Sequence, residues 1–67
     1  MSFTRLEALV RGDQEWVYIP TPFAREELNA KLEQMKANGF RIKETDHGWQ
    51  VINPITKKIE VTYRLIH

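Results

Sequence analysis

A single helical stripe lies in the middle of the chain. Its apolar positions are separated by four, four and three residues, which is the spacing of one face of an α-helix. Thr21 is a candidate N-cap, Pro22 suits the first helical position and Gly39 is typical of the position after a helix. We therefore predict a helix over about residues 22–38, with one face packed against another layer. The stripe consists of Ala24, Leu28, Leu32 and Met35.

Beyond this helix the hydrophobic period changes to two, which is typical of β-strands. Three alternating runs follow one another, separated by the segments TDHG and NPITK, so the pattern predicts a three-stranded meander. We expect His47 and Gly48 to form the first loop. In that register Ile42, Trp49 and Val51 share one face of the sheet, and Arg41, Lys43, Gln50 and Ile52 share the other.

The N-terminal segment permits two interpretations. Leu6, Leu9 and Val10 fit a short helical stripe, whereas RLEALV and EWVYI, joined by RGDQ, are typical of a β-hairpin. The hairpin is favoured because it places a uniformly aliphatic set on one face. Its expected pairs are Leu6 with Ile19, Ala8 with Val17 and Val10 with Glu15.

The predicted fold is α+β, a single α-helix packed on one face of a mostly antiparallel sheet, in the order ββαβββ. The alternative is αβαβββ, with a short N-terminal helix. A chain of 67 residues forms one domain, 1–67, and buries only about 60% of the surface that it exposes when unfolded. The expected core is Leu6, Ala8, Val10, Val17, Ile19, Leu28, Leu32, Met35, Phe40, Ile42, Val51, Ile59, Val61, Tyr63 and Leu65.

The composition favours a folded domain in a reducing compartment. Hydrophobic residues make up 42% of the chain, and cysteine is absent, which excludes a disulfide framework and a thiolate metal site. No apolar run approaches the roughly 18 residues that span a bilayer, and MSFTRLEALVRG lacks the apolar region of a signal peptide. We therefore expect a cytoplasmic protein that does not associate with membranes.

No motif predicts catalysis, a cofactor or a metal site. The only serine is Ser2, and glycine-rich phosphate loops are missing. His47 lies close to Glu44 and Asp46 in the sequence, but these residues suit a hairpin turn without a metal, and a metal site would need further ligands from elsewhere, so we expect no bound metal. The RGD triplet at residues 11–13 resembles the integrin-binding tripeptide of extracellular ligands, but Gly and Asp also suit a four-residue hairpin loop. We interpret the triplet as a turn and the protein as non-enzymatic.

Charge is distributed unevenly along the chain. Residues 1–33 hold four basic and six acidic residues, whereas residues 34–67 hold six basic and three acidic ones. The basic half makes nucleic-acid binding the alternative function. Trp16 and Tyr18 are aromatic residues that suit stacking on bases. The candidate contacts are Arg41, Lys43, Lys57, Lys58 and Arg64.

The leading hypothesis is a small protein-interaction module, such as an adaptor, inhibitor or regulator. It rests on apolar residues that the predicted pairing leaves on the open face of the sheet, among them a Trp and a Tyr, which are enriched at binding hot spots. The partner is then another protein or a second copy in a homodimer, and the small size suits a phage or mobile-element accessory protein. The candidate docking residues are Leu9, Trp16, Tyr18, Ile52 and Ile66.

Overall fold

The computed structural model describes residues 4–67 and shows one helix packed on a five-stranded sheet. The order confirms the predicted α+β fold, ββαβββ, and the strand at the N-terminus excludes the alternative with a second helix. Residues 1–3 of the predicted domain lie outside the described residues. The elements are β1 (Arg5–Val10), β2 (Val17–Ile19), α1 (Ala24–Ala37), β3 (Arg41–Thr45), β4 (Gly48–Ile52) and β5 (Ile59–Ile66).

The sheet is antiparallel throughout, with the spatial order β2-β1-β5-β4-β3. The last strand, β5, therefore lies at the centre and joins the N-terminal hairpin to the β3–β4 hairpin. Helix α1 connects β2 at one edge to β3 at the other and packs against β1, β3 and β5. One face of the sheet is covered by α1, and we call the opposite face the open face.

The N-terminal hairpin has the predicted register, with Leu6 opposite Ile19 and Ala8 opposite Val17. The expected pair of Val10 with Glu15 does not form, because β2 begins only at Val17 and the connection is longer than four residues. The RGD triplet does form a turn: the Asp13 N–H donates to the Val10 carbonyl at 2.9 Å. Gly12 has φ +90°, a conformation that glycine adopts without steric cost.

The β3–β4 hairpin differs from the prediction in its loop. Thr45 pairs with Gly48, so the two loop residues are Asp46 and His47, not His47 and Gly48. The Thr45 hydroxyl oxygen accepts from the Gly48 N–H at 3.1 Å and from the His47 N–H at 3.3 Å. This shifts the pairing by two residues, and because side chains alternate with a period of two, the predicted faces remain correct.

Helix α1 begins later than predicted. Its N-cap is Phe23 rather than Thr21, because the Thr21 hydroxyl accepts from the Phe23 N–H at 3.1 Å and so closes a turn before the helix. The C-terminus agrees with the prediction. Gly39 has φ +95°, and its N–H and that of Phe40 donate to the last turn at 3.0 Å each, as in a Schellman motif.

The core lies between α1 and the covered face. The predicted helical stripe is confirmed, with Met35 partly buried and the other three members fully buried. Three predicted core residues are wrong. Two of them, Val10 and Val17, are 47% and 52% exposed, because Val17 lies on the edge strand β2 and Val10 lies at the end of β1, beyond its pairing with β2. The buried hydrophobic residues are Leu6, Ala8, Ala24, Leu28, Leu32, Val51, Val61 and Tyr63.

A β-bulge accounts for the third wrong core residue, Ile59. Val51 pairs with Val61, but Ile52 pairs with Ile59, so Glu60 is an extra residue in β5. The bulge interrupts the alternation of side chains, and Ile59 lies beside Ile52 rather than in the core. Ile59 is accordingly exposed.

Candidate nucleic-acid interface

An ionic and aromatic network occupies the β1–β5 part of the open face. Glu7 is only 8% exposed, its Oε1 accepts a hydrogen bond from Nε of Arg64 at 2.8 Å, and the same oxygen forms an ion pair with Nη2 of Arg64 at 2.7 Å. Its Oε2 lies 3.4 Å from Nη2 of Arg5. The Arg64 guanidinium lies 3.8 Å from the centre of the Trp16 ring, and that of Arg5 lies 4.6 Å from the Tyr18 ring. Both aromatic residues therefore have cations stacked on them by the protein itself.

The network contains one of the predicted docking residues and one of the predicted nucleic-acid contacts. Trp16, a predicted docking residue, is half-buried against Arg64. Arg64, a predicted nucleic-acid contact, is already paired with Glu7 Oε1 within the chain. Each is therefore less available to a partner than its sequence position suggests.

The other predicted docking residues lie on the open face but are separated by polar positions. Leu9 is opposite Thr62, and Thr62 is opposite Gln50, so a polar row runs between Leu9 and Ile52. Ile66 is 36% exposed and lies opposite Arg5, and Tyr18 is 48% exposed and lies opposite Glu7. The structure thus places all five on or beside the open face without joining them into one apolar area.

The remaining four predicted nucleic-acid contacts lie together at one end of the sheet. Arg41 and Lys43 are exposed on β3, and Arg41 pairs with Ile52 at the end of β4. Lys57 and Lys58 are exposed in the loop that follows Ile52. Within residues 4–67 none of the four makes an ion pair. We call these four residues the basic cluster.

The two sides of the molecule differ in charge. Both carboxylates of the open face are paired, Glu7 as above and Glu60 with Arg11 at 3.5 Å. The β1–β2 loop, which carries Arg11, also carries Asp13 and Glu15, and the other five of the nine carboxylates lie on α1, on the covered side of β3 and in the β3–β4 turn. Seven of the ten cations lie on the open face or the loops at its rim, namely Arg5, Arg11, Arg41, Lys43, Lys57, Lys58 and Arg64.

The loop between β4 and β5, residues 53–58, holds its shape through internal hydrogen bonds. Asn53 Oδ1 accepts from the N–H groups of Ile55 and Thr56 at 2.8 and 3.2 Å. The Asn53 carbonyl accepts from the Lys57 N–H at 2.8 Å, and Thr56 Oγ1 accepts from the Lys58 N–H at 3.3 Å. The loop therefore presents its lysines from an ordered backbone rather than from a free chain end.

Two grooves lie elsewhere on the surface. A groove of about 670 Å³ at the start of α1 mixes Arg5 and Arg25 with Glu26. A second, of about 500 Å³, lies between α1 and β3 over Trp49 and is lined by both Glu33 and Lys36. Neither groove has a single sign of charge. Among the described residues no group of three His, Cys, Asp or Glu side chains is placed to hold a metal ion.

Sequence reasoning missed Glu7, the most buried charged residue of the open face. Strand alternation puts Glu7 on the face opposite to Leu6 and Ala8, where a carboxylate is ordinarily exposed, so nothing in the pattern singled it out. What buries it is the pairing of β1 with β5, which puts Arg64 directly opposite. The available signal was local: Arg5 is two residues away in β1 and on the same face.

Comparison with protein-family models, with curated proteins and with solved structures finds no match. Within residues 4–67 no helix has the length and apolar character to cross a bilayer.

Proposed function

We propose that this domain is a non-enzymatic, cytoplasmic module that binds nucleic acid through the open face, with the basic cluster contacting phosphates. The observation that carries the proposal is the basic cluster: seven cations and four carboxylates lie on the open face and on the loops that carry those cations, and the four cations of the cluster make no ion pair within residues 4–67. Contacts between Lys or Arg and phosphates supply most of the affinity of non-specific nucleic-acid binding. The absence of cysteine suits the cytoplasm.

The basic cluster is the part of the open face best suited to an external anion. Arg5 and Arg64 are held by Glu7, and Arg11 by Glu60, so a phosphate would have to compete with an existing carboxylate. The cluster residues have no such competitor within the described residues. They also lie on a strand and on an ordered loop, which lowers the entropy lost when they meet a ligand.

A salt titration with labelled single- and double-stranded oligonucleotides tests the proposal. We expect binding at low salt whose affinity falls steeply as salt increases, because phosphate contacts release counterions. The double variant Lys57→Ala/Lys58→Ala removes two contacts, so the slope of log K against log salt decreases in magnitude by about two. Fluorescence anisotropy measures both quantities.

The matched control is Arg25→Ala/Lys31→Ala, which removes the same charge from α1. Both residues lie on the helix rather than on the open face, so the slope stays at the wild-type value. Equal losses in the two double variants would mean that net charge, not this face, governs binding. No binding to any oligonucleotide at low salt would reject the proposed function.

A protein partner is the second candidate, and the exposure of Tyr18 and Ile66 favours it. In this case the module docks on another protein or on a second copy through Leu9, Trp16, Tyr18, Ile52 and Ile66. Sedimentation of the wild type and of Tyr18→Ala at high micromolar concentration tests the homodimer. A dimer that Tyr18→Ala dissociates supports this candidate, whereas a monomer in both samples rejects self-association.

A further inference from the structure

The loop between β4 and β5 displays an apolar side chain at its tip. Ile55 is 88% exposed, and its own N–H is held by Asn53 Oδ1 at 2.8 Å. A single exposed apolar residue has no meaning by itself. Here, however, the residue lies in a loop with an ordered backbone, which also carries Lys57 and Lys58 of the basic cluster and begins beside Arg41.

The cations near the tip come from the loop itself and from the neighbouring strand β3. Lys57 and Lys58 follow Ile55 by two and three residues. Arg41 pairs with Ile52, the last residue of β4 before the loop. Lys57 has φ +65°, a left-handed conformation that is uncommon outside glycine and that turns the chain back toward β5. The result is an apolar tip with a basic rim.

We propose that the β4–β5 loop is a wedge that inserts Ile55 between neighbouring base pairs of duplex DNA while the basic cluster holds the flanking phosphates. Proteins that kink DNA insert isoleucine and similar apolar side chains between base steps, and phosphate contacts offset part of the cost of unstacking. The inference rests on the proposed function and specifies its ligand as a deformable duplex.

An anionic membrane would also attract an apolar tip with a basic rim, but the structure favours the duplex. Burying one isoleucine side chain contributes only about 1.5–3 kcal/mol, far less than the acyl chain, at about 0.8 kcal/mol per buried CH₂, that anchors a protein stably together with a polybasic patch. A kink requires one side chain at one base step. Within the described residues Ile55 is the only large apolar side chain of this loop.

The experiment uses a short DNA duplex with one central TA step, the most easily unstacked kind of step. A 2-aminopurine replaces the adenine of that step, and a donor and an acceptor dye label the two ends. We expect the wild type to increase both the 2-aminopurine fluorescence and the energy transfer on binding. Ile55→Ala should lose most of both signals, with the salt slope unchanged and the affinity within about tenfold.

The control is Phe23→Ala, which truncates another large exposed apolar residue, 66% exposed. Phe23 precedes α1 and lines the groove with Thr4 and His67, at the end of β5 away from the wedge. Both signals should stay at the wild-type level in this variant. Loss of the signals in Phe23→Ala as well as in Ile55→Ala would overturn the wedge, because the effect would then not belong to the loop.

Three further results would overturn the wedge while leaving nucleic-acid binding in place. The first is duplex binding that changes neither signal, and the second is binding to single strands alone. The third is an Ile55→Ala variant that retains both signals but no longer binds vesicles of phosphatidylserine and phosphatidylcholine. The proposed function itself fails only if no oligonucleotide binds at low salt, so the two failures are distinguishable.

Discussion

The two faces of the sheet are built from the same strands but are stabilised differently. The covered face packs aliphatic side chains against α1, with Leu6, Leu28 and Val51 wholly inaccessible to solvent. The open face has one buried carboxylate, and contacts between charged groups and aromatic rings surround it. Apolar burial is non-directional, whereas the ionic network depends on distances and angles at each contact.

This difference assigns stability mainly to the covered face and leaves the open face for the proposed binding. A domain of this size depends on its small core, so the covered face has little freedom to change. The open face contributes less to stability, because its arginines remain partly exposed and solvent screens their interactions. The open face can therefore carry charged residues that bind a ligand at little cost to stability. Three predictions test this difference between the two faces.

The largest expected effect is on the covered face. Leu28→Ala should lower the free energy of unfolding by about 2–5 kcal/mol, through lost apolar burial and the cavity that remains. Glu33→Ala, on the solvent side of the same helix, should cost less than about 0.5 kcal/mol. Urea denaturation followed by tryptophan fluorescence measures both. Similar small losses in the two variants would show that α1 does not stabilise the sheet.

An intermediate effect is expected on the open face. Glu7→Gln keeps the size of the side chain but removes the charge that Arg64 and Arg5 share, so we expect a loss of about 1–2 kcal/mol. Glu60→Gln removes a longer and more exposed pair with Arg11 and should cost less than about 1 kcal/mol.

Urea denaturation of these two variants measures how much the ionic network around Glu7 contributes to the free energy of unfolding. A larger loss in Glu60→Gln than in Glu7→Gln would contradict the assignment of Glu7 as its centre. A loss in Glu7→Gln as large as that in Leu28→Ala would remove the energetic distinction between the faces.

The smallest effect is expected at high pH and concerns Tyr63, on the covered face. Burial raises the pKa of the Tyr63 hydroxyl above its ordinary value, so the folded state keeps this proton at a pH where the unfolded state loses it. Stability from this residue is complete below about pH 10 and decreases as the pH rises beyond it. Tyr63→Phe should show a shallower decrease. Denaturation at a series of pH values measures it, and parallel profiles would contradict the prediction.

Much of the architecture was already present in the pattern of residues. The helical stripe predicted the face of α1 that is buried, and alternation predicted the faces of Ile42, Trp49 and Val51 even though the loop was placed one residue too late. Those faces depend only on the period of two, which a shift of pairing by two residues preserves. The turn at Gly12 and the end of α1 at Gly39 were predictable because the backbone conformations at these positions favour glycine.

The candidate site was only partly predictable from the sequence. The basic residues were identifiable by type, but alternation alone does not show that Arg64 is occupied by Glu7 while Arg41, Lys43, Lys57 and Lys58 are without ion pairs within residues 4–67. That distinction depends on which strands are neighbours, and β1 and β5 are separated by almost the whole length of the chain.

Local order therefore came from the sequence, because helix and strand periods and turn residues act over a few positions. The tertiary structure alone decided three things: the burial of Glu7, the exposure of Val10 and Val17, and the displacement of Ile59 by a bulge. Each results from contacts between segments far apart in the chain, namely the pairing of β1 with β5, the path of α1 across the sheet and the register of β4 with β5. No periodicity within a single segment encodes those contacts.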